Sequence, residues 1–240
     1  MRTLLIYIFA AFTVLRTLPD LRRVKKISDS VPIKDKNERV FQAPQNVALK
    51  VIERTGTKVN VRGQNKLPNG PVLYVSNHQG IFDILVLIGF AGKPLGFIAK
   101  KEIKKIPIVR AWMDEMQCVF IDRANRREAI KVISKGIDNL KNGQSMVIFP
   151  EGTRSRGAKL HEFKSGSLRL GTKAGVPIVP VAINGTYNIL ENNNGKIKAA
   201  DVTIEICDPI YPDQYETKKN TEIAKDIQRT IERAIINHQN

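Results

Sequence analysis

His78 and Asp83 form a His-x4-Asp spacing directly after the β-branched run at 72–76. A chain turning there from strand into helix returns the carboxylate to an imidazole nitrogen. The contact fixes the tautomer and stabilises the imidazolium, which makes a general base with its orienting partner. A lone His at a strand end is more often a satisfied structural group; the carboxylate at this spacing moves the reading toward catalysis. No Ser or Cys stands where it would obviously supply a nucleophile, so the nucleophile is expected to be a hydroxyl of the substrate. A metal would need one more His or carboxylate nearby. His161 and His238 lie in unrelated contexts, and no metal is expected.

Three other apolar runs end in ionisable groups. The run 145–149 leads into Pro150-Glu151-Gly152-Thr153-Arg154-Ser155-Arg156, 118–121 into Asp122-Arg123, and 95–99 into Lys100-Lys101-Glu102. Ligands of open α/β sheets bind beyond the carboxyl ends of the strands. Four such ends carrying charge are poorly explained as solvated decoration.

The elements that must position these groups alternate between two periods. Strands are expected at 58–62, 72–76, 95–99, 118–121, 145–149, 178–183 and 202–206. Between and beyond them lie helical patterns. One covers 45–55, with Val47, Ala48, Val51 and Ile52 ahead of Gly56. Another covers 126–140, where Asn125 and Glu128 suit a capping box and Asn142-Gly143 a stop. Two more are expected at about 165–174 and 217–237. The alternation predicts an α/β domain with a mostly parallel or mixed central sheet flanked by helices. The polar stretch 28–42, with Pro32, reads as a loop or linker. Asn184-Gly185-Thr186 fits a glycosylation pattern but reads as a turn, and Lys164-Ser165-Gly166 opens the next helix.

At the N-terminus, residues 3–15 carry no charge and are flanked by Arg2 and Arg16. A helix of that length rises ~20 Å, short of the ~30 Å hydrocarbon core of a bilayer. No small-x-small cleavage site follows it. Arg22, Arg23, Lys25 and Lys26 come next, and an apolar helix beside clustered cations suits one leaflet of an anionic membrane. The expected division is 1–56 as a membrane-associating helical segment and linker, and 57–240 as the α/β domain.

Composition agrees with an ordinary globular chain: 240 residues, 42% hydrophobic and 26% charged, which excludes fibrous and disulfide-framework classes. The formal net charge of +16 calls for a polyanionic partner: nucleic acid, an anionic membrane or a phosphorylated substrate. Nucleic-acid binding is the remote alternative, because aromatics are only 6% and Tyr7, Phe9 and Phe12 sit in the apolar N-terminal segment rather than among the cations. Cys118 and Cys207 are flanked by apolar residues and are expected to be buried thiols.

Taken in order, Asn77-His78-x4-Asp83, Phe120-Ile121-Asp122-Arg123, Phe149-Pro150-Glu151-Gly152-Thr153-Arg154-Ser155 and 176–183 resemble the four motifs of the glycerolipid acyltransferases. The close match is the lysophosphatidic acid acyltransferase group. Lys100 to Pro107 resembles the segment before the second motif; Arg110 departs from the small residue common there. This resemblance implies acyl transfer from a thioester to the sn-2 hydroxyl of lysophosphatidic acid, with His78 as base and Asp83 behind it. It implies no cofactor, and acyl-CoA or acyl-carrier protein as donor. Arg154, Arg123 and Lys100 would hold the acceptor phosphate. Gly152 would admit backbone close to a ligand, and Glu151 would hold Arg side chains or a glycerol hydroxyl. Pro180 would wall the acyl site, and backbone amides near Gly80 would be the oxyanion donors. An acceptor such as glycerol 3-phosphate or another lysolipid is the alternative. The implied location is the membrane, peripheral or monotopic on its cytoplasmic face.

Overall fold

All seven β-branched runs form strands, and they join in one sheet. The computed structural model describes residues 1–122 and 126–238, without the side chains of 126–129. In chain order the elements are α1 (Arg2–Leu15), α2 (Leu18–Val24), α3 (Ile33–Thr55), β1 (Lys58–Arg62), β2 (Leu73–Ser76), α4 (Phe82–Phe90), β3 (Leu95–Lys100) and α5 (Pro107–Glu115). They continue with β4 (Val119–Ile121), α6 (Arg126–Lys141), β5 (Ser145–Ile148), α7 (Arg169–Ala174), β6 (Ile178–Asn184), β7 (Asp201–Ile206), α8 (Pro212–Tyr215) and α9 (Asn220–Asn237).

Strand order is β1-β7-β6-β2-β5-β3-β4, and every pairing is parallel except β6 with β7. The sheet is therefore mixed. Its topology sets the carboxyl ends of β6, β2, β5, β3 and β4 side by side along one rim. Strands β2 and β5 are buried at every position, as strands covered on both faces must be.

Two apolar layers cover the sheet. Tyr74, Phe97, Val147, Val179 and Val181 face one core with Ile6, Leu21, Val40, Phe41, Val51, Leu87 and Trp112 from α1 to α5. Their strand neighbours Leu73, Val75, Met146 and Ile178 face the other, built with Leu140, Leu170, Ile223, Ile227, Ile231 and Ile235 from α6, α7 and α9. The alternation along β2 is the period of two that a pleated strand imposes. Cys118 and Cys207 are both buried and unpaired, and desolvation pushes each thiol up to about 12.

The stretch read as a linker is helical from Ile33 onward. Buried Asn37, Val40, Phe41, Ala48, Val51, Ile52 and Thr55 repeat at helical intervals on one face of α3. Charges on the outer face and Pro44 within the helix hid the stripe; burial against α1, α2 and α4 overrides both. Gly56 ends it as expected, at φ +75°. Residues 165–168 are a short 3-10 turn before α7, and α9 begins only at Asn220. The capping box at Asn125 and Glu128 lies outside the described residues.

α1 and α2 meet at Arg16 and Thr17, both in right-handed helical geometry, so the helical run extends over Arg2–Val24. By length and composition alone that run is long and apolar enough to cross a membrane, which segment 3–15 is not. Its second half is built into the protein. Leu21 and Val24 are buried, and the Trp112 indole N–H donates to Thr17 Oγ1 at 2.7 Å. Leu4, Leu5, Tyr7, Ile8, Phe12 and Leu15 of α1 are each at least half exposed, whereas Ile6 is buried.

Candidate active site

At the rim, β2 ends and Asn77 extends it by side chain. Its amide donates to the Ile183 carbonyl and its Oδ1 accepts the Ile183 N–H, both at 2.8 Å. A side chain thus copies one rung of a strand ladder, and the main chain is free to turn at His78. The turn 78–81 leads into α4, with Asp83 in the helix's first turn, where the dipole favours negative charge.

Asp83 is fully buried, and its carboxylate is filled by three donors. Oδ2 lies 2.7 Å from His78 Nδ1 and accepts the Gly80 N–H at 2.9 Å. Oδ1 accepts the Thr186 hydroxyl. An Nδ1–H pointed at a carboxylate leaves Nε2 with its lone pair, the form a general base needs. The imidazole is 15% exposed and stacks on Phe149, with centroids 4.1 Å apart and planes 17° apart.

Loop 149–156 after β5 is zipped along this turn. The Ser155 and Arg156 N–H groups donate to the carbonyls of His78 and Gln79 at 2.8 and 3.1 Å. Glu151, also buried, accepts the His78 N–H at 2.6 Å on Oε1 and the His161 N–H at 2.8 Å on Oε2. Burial raises its carboxyl above the usual range, and the two amides act in the opposite direction. Gly152, at φ +72°, makes the tight return and donates its N–H to the Phe149 carbonyl at 3.0 Å. Arg154 is a third exposed and pairs through Nη1 with Glu191 Oε1 at 3.1 Å. That same oxygen accepts the Ile81 N–H at 2.9 Å, and the Glu191 side chain is only 7% exposed.

Of the residues singled out in the sequence, His78, Asp83, Glu151, Gly152 and Arg154 come together on β2 and its neighbour β5. Lys100 is the exposed last residue of β3, one strand further along the rim, so roughly two strand spacings, about 10 Å, separate it from β2. Arg123 lies outside the described residues. Pro180 is buried in β6 opposite Val75, on the strand face shared by Ile178 and Ala182 of the α6–α9 core. The amides near Gly80 are not open for an oxyanion: that of Gly80 is committed to Asp83 and that of Ile81 to Glu191.

Three buried polar residues of the site escaped sequence reasoning. Gln79 accepts the Gly185 N–H at 3.0 Å, Thr186 bonds Asp83, and Glu191 holds Arg154. Each acts on a residue tens of positions away. The one local signal was the Asn184-Gly185-Thr186 turn, whose Gly185 has φ +98°.

Residues 58–184 match the family model described as Acyltransferase. A chloroplastic 1-acyl-sn-glycerol-3-phosphate acyltransferase of Brassica napus is 36% identical over 64% of this chain and 45% of its own length. A probable 1-acyl-sn-glycerol-3-phosphate acyltransferase of Mycoplasma pneumoniae is 32% identical over 73% of this chain and 70% of its own. Among solved structures, the 1-acyl-sn-glycerophosphate (LPA) acyltransferase PlsC of Thermotoga maritima superposes with a TM-score of 0.86 at 29% identity, covering 99% of this chain and 95% of that one. The chain spans about half the length of several curated relatives it matches.

Proposed function

This chain belongs to the acyltransferase family, and from that premise we propose that it acylates the sn-2 hydroxyl of 1-acyl-sn-glycerol 3-phosphate to give phosphatidic acid. The observation that carries the reading is the His78 imidazole, oriented at 2.7 Å by a carboxylate whose other contacts are all donors. Such a pair takes a proton from a bound hydroxyl and returns it.

The acceptor oxygen attacks the thioester carbonyl carbon as its proton passes to His78 Nε2. The tetrahedral adduct then collapses, the C–S bond breaks, and the imidazolium protonates the leaving thiolate. Asp83 stabilises the imidazolium between the two transfers. No acyl-enzyme forms, and the protein needs no cofactor beyond the donor, acyl-CoA or acyl-carrier protein.

Arg154, Lys100 and Arg123 are the cations that would hold the acceptor phosphate, and Gly152 would let it approach the backbone. Glu151 serves as a clamp: its oxygens hold the backbone of His78 and His161. The apolar groups nearest the base that would meet the acyl chain are Phe149, stacked on His78, and half-exposed Ile81, three residues after it. Pro180 contributes only from behind, as buried sheet in the wall of that site. The protein is monotopic on the cytoplasmic face of an anionic membrane, held by the exposed apolar face of α1 and by Arg22, Arg23, Lys25 and Lys26.

The test is transfer of labelled acyl groups from both donors to lysophosphatidic acid, with glycerol 3-phosphate and neutral lysolipids as competing acceptors. Phosphatidic acid as the main product supports the reading. Transfer mainly to another acceptor would replace the substrate and keep the chemistry. No transfer to any acceptor, with a positive control active, would sink it.

A further inference from the structure

We propose that Thr186 is a positioning residue of the catalytic pair: its hydroxyl locks the Asp83 carboxylate in the rotation that keeps Oδ2 against His78 Nδ1. The inference rests on the acyl-transfer reading for its kinetics, but the hydrogen bond it concerns is independent of any substrate. Asp83 is fully buried, and a buried carboxylate keeps its charge only where donors fill its lone pairs. Oδ2 is shared by His78 and Gly80, which belong to the same turn. Oδ1 is filled from elsewhere, by a residue 103 positions later in the chain. Without it, only the bonds to Oδ2 oppose rotation of the carboxylate about its Cβ–Cγ bond.

The delivery of that hydroxyl is specified by backbone. β6 runs beside β2 to the same rim, and Gly185 then turns with φ +98°. A Cβ at Gly185 would stand 2.3 Å from the Asp201 carbonyl oxygen, so glycine is required. The Gly185 N–H is fixed by Gln79 Oε1 at 3.0 Å, and Gln79 directly follows the base. Thr186 is itself fully buried. Its single hydroxyl hydrogen goes to the charged acceptor, the stronger of the bonds open to it. The Asn184-Gly185-Thr186 turn is thereby the third element of the site, beside the turns after β2 and β5.

Three variants test this: Thr186→Val, which keeps the shape and removes the donor, Thr186→Ser, which keeps the donor, and Asp83→Asn. Two readings are taken on the whole protein in detergent micelles. The first is kcat and KM for lysophosphatidic acid. A drop in kcat of roughly 10- to 100-fold is expected for Thr186→Val, the scale of a misplaced catalytic group. KM should stay within about threefold in that variant, and Thr186→Ser should restore most of the rate. The Asp83→Asn/Thr186→Val double variant should be no slower than Asp83→Asn, because the hydroxyl acts through that carboxylate. A loss that simply adds to that of Asp83→Asn, or no loss in Thr186→Val, would overturn the proposal.

The second reading is the downfield proton resonance of His78 Nδ1–H, which needs no substrate. It should broaden or move in Thr186→Val and persist in Thr186→Ser, and an unchanged resonance in Thr186→Val would equally overturn the proposal. An enzyme inactive on every acceptor would defeat the function assigned above, while this resonance would still decide the role of Thr186.

Discussion

The turn 77–83 and helix α1 solve opposite problems. In the turn, charged and polar groups are taken out of water, and nearly every lone pair is met by a donor drawn from a different part of the chain: Ile183 for Asn77, Thr186 for Asp83, and the backbone of loop 149–156 for His78 and Gln79. In α1, apolar groups are left at least half exposed on the outer face, although Ile6 on the inner side is packed. One region is over-determined by its own protein. The other leaves apolar surface exposed, as the membrane attachment proposed above requires. A catalytic base must be held to fractions of an ångström, whereas attachment to a fluid bilayer needs area and charge but no register.

Substitutions in the two regions should therefore separate cleanly, and the largest effect belongs to the turn. His78→Ala is expected to lower turnover by roughly 10² or more while leaving vesicle binding intact. Near-normal turnover would remove the base and collapse the contrast. Next comes Arg154→Ala, which deletes a cation one loop away and should raise KM for the phosphorylated acceptor by about 10- to 100-fold, as loss of a charge-assisted hydrogen bond does. Arg154→Lys should recover only part of this, since it gives up the two-pronged geometry.

On the helix, Ile8→Gln with Phe12→Gln should weaken partition onto anionic vesicles by roughly tenfold or more. Full burial of such side chains is worth about 1.5–3 kcal/mol each, and both are about half exposed already. Turnover with a micellar short-chain acceptor should hold, and co-sedimentation with assay of the same sample reads both. Deleting residues 1–26 would be a poorer test, because Ile6, Leu21 and Val24 belong to the core.

The smallest effect concerns pH. A carboxyl raised by burial keeps its proton in the folded state above the pH at which the unfolded chain releases it. Its contribution to stability is thus fully present at low pH and is lost as pH rises through the folded value. Thermal melts of Glu151→Gln should show a flatter dependence across the weakly acidic range than the parent. An unchanged slope would mean that Glu151 does not titrate in the native state.

What could be read in advance follows the range of the interactions involved. The strands were legible because burial on both faces of β2 and β5 demands uninterrupted apolar residues, and the rim could be named once the strands were in place. The first half of α3 was not, since its buried stripe is interleaved with charges and includes Asn37 and Pro44, which no local rule assigns to a packed helix. Within the site, His78 and Asp83 announced themselves by spacing inside one turn. Thr186 and Glu191 are ordinary polar residues locally, and only the adjacency of β6 to β2 makes them partners of Asp83 and Arg154. Glu151 is legible as a site residue, but its two backbone partners are not, because backbone amides have no signature in a side-chain pattern.

Under the proposed mechanism, the stacking of His78 on Phe149 gives the aromatic ring a part that changes during turnover. It lies against the imidazole, ring face to ring face. Once the acceptor's proton arrives, the same face meets a delocalised cation, which an aromatic quadrupole attracts and which water would otherwise have to solvate. The end of β5 would then be a polarisable seat for the charge between its arrival and its departure with the thiol. A hydrophobic residue becomes part of the proton's itinerary without ever carrying it.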